Sequence, residues 1–342
     1  MPSRIAINGF GRIGRAVFKN IIRNYSDEME IVAINDLTDS ETLVHLLRYD
    51  SVYGMYEEEL LMDDGFLLVG ERGEDSKIKL FSEKDPLGLP WEDLDIDIVL
   101  ECTGLFTDHE GAKKHLDAGA KKVIISAPSK DPEKVPSFVM GVNEKSYDSG
   151  SDDIVDMGSC TTNCLAPILK IIHDNFGVER GMMTTIHSYT ANQNLLDGPH
   201  KDKRRARAAA ENIIPTTTGA ARAIGRVLPE LEGKVEGMAI RVPTPTVSVI
   251  DLVCRLKESV TEEDLKNIFK GESEKEGLRG ILGVEDAPLV SSDYIGSNFS
   301  SVVDSELVSS NEKMAKIFAW YDNEWGYSAR LADFAYYISK EL

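Results

Sequence analysis

The stretch RIAINGFGRIGRAVFKNII, Arg4 to Ile22, changes period midway. Ile5 and Ile7 face one side with Ala6 on the other, as in a strand, and then Ile13, Val17 and Ile21 recur every four residues, as along a helix face. EIVAIND, Glu30 to Asp36, reads as a second buried strand. Two strands joined by one helix form a βαβ unit, whose right-handed crossover leads into a parallel sheet. The pattern continues with IDIVLE as a strand, HEGAKKHLDAG as a helix closed by Gly119, and KVIISAP as a strand. FVMGV (138–142) and DIVDMG (153–158) read as two more strands.

From about residue 180 the texture changes. GMMTTIHSY, GMAIRVPTPTVSVIDLVCRL, SSVVDSELV and KMAKIFAWY read as long strands with few helices between them, which points to a mostly antiparallel sheet. One helix starts at Thr261 with the capping-box pattern TEED, and a last helical segment, SARLADFAYYISKEL, follows the final strand.

Composition narrows this picture. A chain of 342 residues, 42% hydrophobic, suits two domains. No run approaches the ~18 apolar residues of a membrane span. MPSRIAINGFG enters a strand pattern at once, so no signal peptide is expected and the expected setting is cytoplasmic. A net charge of −20 repels nucleic acid and anionic membranes. A high-salt cytoplasm is a second reading of the same acidity. Four cysteines are too few for a disulfide scaffold, and Cys102 and Cys254 sit in apolar runs as small core residues.

Candidate chemistry begins at NGFGRIG, with Gly9, Gly11 and Gly14 spaced G-x-G-x-x-G between a strand and a helix. Glycines there allow a tight turn and close approach of a pyrophosphate to the N–H groups of a helix start. Asp36, ending the next strand, would accept hydrogen bonds from an adenosine ribose and repel a 2′-phosphate. Leu37 and Thr38 bring no positive charge, so NAD is expected over NADP.

SCTTNCLAPIL, Ser159 to Leu169, carries Cys160 and Cys164 one helical turn apart. A zinc site lacks further ligands at suitable spacing, so no metal is expected, and a disulfide across one turn is unfavourable in a reducing compartment. A nucleophile fits better. Ser159 suits an N-cap, with Pro167 placed near the helix start, and Cys160 then lies at the helix N-terminus, where the dipole favours thiolate. An ordinary thiol of pKa ~8.5 is about 3% ionised at pH 7, whereas one lowered to ~6 is about 90% thiolate. Cys164, a turn deeper, reads as structural. His187 in TTIHSYT ends a strand and is the natural base.

Together NGFGRIGR, AIND, SCTTNC, HSYT, RRARAAAENIIPTTTGAA, RVPTPTVS and WYDNEWGYS run nearly end to end, and in order. The chain resembles the phosphorylating glyceraldehyde-3-phosphate dehydrogenase family. The resemblance implies an α/β fold: a Rossmann domain over 1–158, completed by a C-terminal helix 322–342, and an α+β catalytic domain over 159–321 with a mostly antiparallel sheet. It implies a homotetramer and two substrates, glyceraldehyde 3-phosphate and inorganic phosphate. Cys160 would attack the aldehyde, His187 would take the hydroxyl proton, and phosphate would release 1,3-bisphosphoglycerate from a thioester. The resemblance adds Arg12, Ile13, Lys84, Ser126 and Asn323 to the cofactor contacts, with Asn323 orienting the nicotinamide amide. Thr190 and Arg241 would hold the substrate phosphate, and Ser159, Thr161, Arg205, Thr218 and Gly219 the attacking phosphate. Lys84 stands where the family commonly has Arg, which loses stacking and fork geometry. Two alternatives stay open: erythrose-4-phosphate dehydrogenase, whose attacking-phosphate pattern usually differs from TTTGAA, and a non-enzymatic redox-sensing or RNA-binding role, which the acidity opposes.

Overall fold

The computed structural model describes residues 1–70 and 76–342. The chain divides into two compact units, one of residues 1–138, 145–158 and 331–342, the other of residues 139–144 and 159–330. The division falls inside the last helix, Trp325–Ser339, rather than at its start.

The first unit is built on one sheet, in the order Ile154–Asp156, Lys122–Ile125, Ile98–Glu101, Ser3–Asn8, Met29–Asn35, Ser76–Phe81, Phe66–Val69, Leu60–Asp63. Pairing is parallel from Ile154–Asp156 through Ser76–Phe81 and antiparallel for the last two strands. Parallel strands buried on both faces need continuous apolar runs, and Ile98–Glu101 is buried at every position. The helix Arg12–Asn24 follows the first strand, and His109–Asp117 contributes Ala112 to a core with Ala6, Val99, Val123 and Trp91. The antiparallel extension from residue 60 and the helix Ser40–Arg48 went unread in the sequence. FVMGV is not a strand. Val139 N–H donates to Asn143 Oδ1 while the N–H groups of Val142 and Asn143 return to the Val139 carbonyl, and this closed turn leaves only Ser137 bridging Asp156.

The second unit carries a sheet in the order Ile214–Thr217, Val235–Val242, Val178–Ser188, Ser248–Leu256, Met314–Tyr321, Ser301–Asp304, Leu282–Glu285, with Ser309–Asn311 beside Met314–Tyr321. It is antiparallel except where Val178–Ser188 meets Val235–Val242 and where Leu282–Glu285 meets Ser301–Asp304. The helix Cys160–Phe176 packs Leu165, Ile168 and Ile172 into one core with Ile250, Leu252 and Ile317 from the strands. The segment expected to run unbroken from 237 to 256 breaks at 243–247: Pro243 and Pro245 offer no ladder N–H, and Val247 takes φ 67°. SSVVDSELV is likewise interrupted, by the 3-10 turn Ser305–Leu307. Thr261 caps the helix Glu262–Ser273 in a full capping box with Asp264. Pro167 sits two turns into its helix rather than near the start, so it withholds an interior N–H.

Candidate active site

The second unit resumes at Ser159, whose hydroxyl accepts from Thr162 N–H and caps the helix Cys160–Phe176. Cys160 is therefore the first helical residue. Along Val178–Ser188 burial alternates, and Met183, Thr185 and His187 share the inner face. This period brings His187 Nε2 to 3.5 Å from Cys160 Sγ. Register does the rest: Arg241 lies opposite His187 on the neighbouring strand, with Arg241 Nη1 2.8 Å from His187 Nδ1 and 2.9 Å from the Ser188 carbonyl.

Burial pushes the Cys160 thiol up, against the Arg241 charge and the Thr161 hydroxyl and N–H groups of the helix start, which pull it down. The helix start thus acts in the direction expected, yet desolvation outweighs it, and the thiolate of low pKa expected from helix position alone is corrected to a thiol of raised pKa. His187 is 4% exposed, and its pKa falls to about 3, first through burial and then through the Arg241 charge. The resting pair is a thiol beside a neutral imidazole. Cys164 is wholly buried against Ser301, and all four cysteines are free thiols.

Other side chains hold this pair. Tyr321 Oη lies 2.9 Å from both Thr161 Oγ1 and Thr185 Oγ1, tying the helix start to the His187 strand, and its ring meets the imidazole edge-on. Asn323 Oδ1 accepts from Ser188 Oγ at 2.8 Å and Ser248 Oγ at 2.9 Å, which leaves its NH₂ as the group for a ligand carbonyl. Arg205 is set by Thr216 Oγ1, Asn192 Oδ1 and the Thr217 carbonyl. Thr218 Oγ1 accepts from Ala220 N–H, and Gly219 precedes the helix Ala220–Val227. Thr190 follows the His187 strand in a turn closed by Gln193 N–H. Sequence reasoning passed over Tyr321, Ser188, Ser248 and Asn192. Ser188, Ser248 and Tyr321 stand in the motifs HSYT, RVPTPTVS and WYDNEWGYS, but their roles lie in long-range contacts that no local pattern marks.

In the first unit, Gly9, Gly11, Asp36 and Lys84 line a cleft of ≈ 420 Å³ together with Asn8 and Thr103. Gly9 has φ 93°, and a Cβ there would sit 2.6 Å from Thr103 N. At Gly14 it would sit 2.1 Å from the Gly9 carbonyl oxygen. At Gly11 it would meet nothing within 4 Å, so the protein's own packing does not demand that glycine. The helix Arg12–Asn24 starts there from Gly11, which gives it no side-chain cap, and a helix start carries positive partial charge. A helix start beside an open glycine fits a dinucleotide pyrophosphate. The Arg12 side chain itself pairs with Asp50 at 2.7 Å. Asp36 does more than sequence suggested: Oδ2 accepts from Phe10 N–H at 2.7 Å and Oδ1 from Thr38 N–H at 2.9 Å, so it also clamps the glycine loop. Ser126 N–H bonds the Glu101 carbonyl, at the end of the strand Ile98–Glu101. Behind the cleft a buried network was missed by sequence reasoning: Glu101 accepts from Asn8 Nδ2, His115 Nε2 and Thr103, while Asn35 donates to Asn8.

Comparison with known proteins agrees with both halves. The family model described as "Glyceraldehyde 3-phosphate dehydrogenase, NAD binding domain" matches residues 3–109, and that described as "Glyceraldehyde 3-phosphate dehydrogenase, C-terminal domain" matches residues 159–323. A glyceraldehyde-3-phosphate dehydrogenase of Geobacillus stearothermophilus is 53% identical over 342 residues, covering 100% of this chain and 99% of its own. Glyceraldehyde-3-phosphate dehydrogenase 1 of Bacillus subtilis (strain 168) is 52% identical over the same span, covering 100% and 99%. The enzyme of Mycolicibacterium smegmatis is 51% identical over 348 residues, covering 100% of each chain. The chain therefore belongs to the glyceraldehyde-3-phosphate dehydrogenase family: it is an oxidoreductase with that family's NAD-binding domain.

Proposed function

We propose that this dehydrogenase is of the phosphorylating kind, converting D-glyceraldehyde 3-phosphate and inorganic phosphate to 1,3-bisphosphoglycerate in glycolysis and gluconeogenesis. The observation that carries this is Cys160 Sγ at a helix start, 3.5 Å from the neutral imidazole of His187. Cys160 gives its proton to His187 Nε2 as sulfur attacks the aldehyde carbon, and the Cys160 N–H at the helix start faces the developing oxyanion. His187 returns that proton to the oxyanion, which forms the thiohemiacetal hydroxyl, and takes it back as that carbon is oxidised. The chemistry NAD supplies when bound is acceptance of the hydride, which leaves a thioester on Cys160. Phosphate attacks the thioester and releases the acyl phosphate, so the oxidation energy is kept as a transferable group.

Two anions are seated by different residues. Arg241 and Thr190 take the phosphate of the aldehyde. Arg205, Ser159, Thr161, Thr218 and Gly219 take the attacking phosphate, with Arg205 offering a fork preset by three neutral acceptors. For the cofactor, Gly9, Gly11, Gly14 and the N–H groups of Arg12 and Ile13 serve the pyrophosphate, Asp36 the ribose, Lys84 and Ser126 the remaining contacts, and Asn323 the nicotinamide amide. The dinucleotide-binding domain spans 1–158 with the C-terminal helix, and the catalytic domain the residues between. No helix among the described residues is long and apolar enough to cross a membrane. A cytoplasmic homotetramer without nucleic-acid partners is the form we propose.

The test is NAD reduction with glyceraldehyde 3-phosphate, with and without phosphate, against erythrose 4-phosphate. Sustained turnover should need phosphate. Higher kcat/KM on erythrose 4-phosphate would assign the chain to the sister activity instead.

A further inference from the structure

His187 Nδ1 has two suitors. It lies 2.8 Å from the Ser188 carbonyl oxygen and 2.8 Å from Arg241 Nη1, and Nη1 is 2.9 Å from that same carbonyl. A neutral imidazole carries one N–H and one lone pair, whereas a guanidinium only donates. Nδ1 either accepts from Arg241 or donates to Ser188. If it accepts, the proton is on Nε2, pointing at Cys160 Sγ, and Nε2 cannot take a proton. If it donates, Nε2 is a base, but Nδ1–H then stands 2.8 Å from a cationic donor. The cationic groups among those around the ring disfavour its protonated form. The charged and titratable groups around it are Arg241 from the strand Val235–Val242, Arg205 from the segment before Ile214–Thr217, Cys160 from its helix, and Tyr321 edge-on from Met314–Tyr321. Arg241 also keeps a spare donor, since its Nε is buried without a hydrogen-bond partner.

We propose that Arg241 gates the base: it holds His187 as the Nε2–H tautomer until a dianion, the phosphate of the aldehyde, engages the guanidinium and releases Nδ1 to donate to Ser188. One proton leaves Nε2 to water and one reaches Nδ1 from water, so charge is unchanged and Nε2 becomes an acceptor. The phosphate handle thereby activates the site in addition to anchoring the substrate. This rests on the Cys160 thioester reading above.

The experiment uses the NAD-loaded protein in phosphate-free buffer and glyceraldehyde, which has no handle. The first-turnover rate of NADH formation at saturating aldehyde is measured with and without sulfate. Sulfate should raise it at least about tenfold, toward the ~10²–10⁴ of a fully recovered general base. Nitrogen-15 spectra of His187, assigned with His187→Asn, should move from an Nε2–H to an Nδ1–H pattern. Arg241→Gln and His187→Asn should each abolish the sulfate response. An unchanged or slower rate with sulfate overturns the gate, as does a sulfate response that survives in His187→Asn. Absence of any NADH burst with glyceraldehyde 3-phosphate itself would instead overturn the thioester reading.

Discussion

The glycine loop of the first unit works through main chain, and the site of the second unit through side chains. Around Gly9, Gly11 and Gly14, what matters is where a Cβ is missing and where a helix begins. Around Cys160, what matters is which side chain stands opposite which: His187 across from Arg241, Tyr321 between Thr161 and Thr185, Asn323 between Ser188 and Ser248. A site of backbone is damaged by adding atoms, and a site of side chains by removing them.

The largest effect should come from removing one sulfur. Cys160→Ser should abolish turnover while NAD binding, followed by calorimetry, is kept. Cys164→Ser should retain most activity, because Cys164 is buried against Ser301 and packs rather than reacts. Equal loss in both would erase the division of labour between the two thiols.

Next comes the base. His187→Asn should lower turnover by ~10²–10⁴. It should also alter acid stability. The imidazole titrates near 3 in the fold against an ordinary 6.5, so between those values the unfolded chain binds the proton first. Stability is therefore lost as pH falls below about 6.5, and the loss is complete below about 3, with an upper bound of ~5 kcal/mol from the size of the shift. Urea unfolding across that window should show wild type losing more stability than His187→Asn. Parallel slopes would mean the imidazole is not held neutral by its surroundings.

The glycines sharpen the contrast from the other side. Gly14→Ala places a Cβ 2.1 Å from the Gly9 carbonyl and should cost about 1–3 kcal/mol of stability. Gly11→Ala meets nothing and should leave the melting temperature unchanged while weakening NAD binding. Loss of stability in Gly11→Ala would mean the position serves the fold and not the cofactor.

The smallest expected change is one of selectivity. Asp36→Ala removes the charge that repels a 2′-phosphate, so kcat/KM with NADP should rise relative to NAD. Because Phe10 and Thr38 lose their acceptor, binding of both cofactors should weaken. A wild type that already prefers NADP would contradict the role given to Asp36.

The same contrast explains what could be read from sequence. The glycine loop is contiguous and its period shift from strand to helix is local, so both its residues and its setting were legible. Cys160 and its Ser159 cap were legible for the same reason, since helix starts are written over four residues. Recognition of the family supplied Arg205, Arg241 and Asn323, which no local pattern marks. The level of the Cys160 thiol was not legible, because desolvation depends on what packs over the sulfur. FVMGV looked like a strand because its apolar residues are buried, yet Asn143 bends them into a turn. The role of Tyr321 needed contacts across 136 and 160 residues of chain.

The most direct test of the covalent account is intact-mass analysis of the NAD-loaded protein mixed with glyceraldehyde 3-phosphate in phosphate-free buffer. It predicts one acyl adduct per chain, mapped to Cys160, formed in step with an NADH burst and discharged on addition of phosphate. Rapid turnover without phosphate, or an adduct that maps elsewhere, would contradict it.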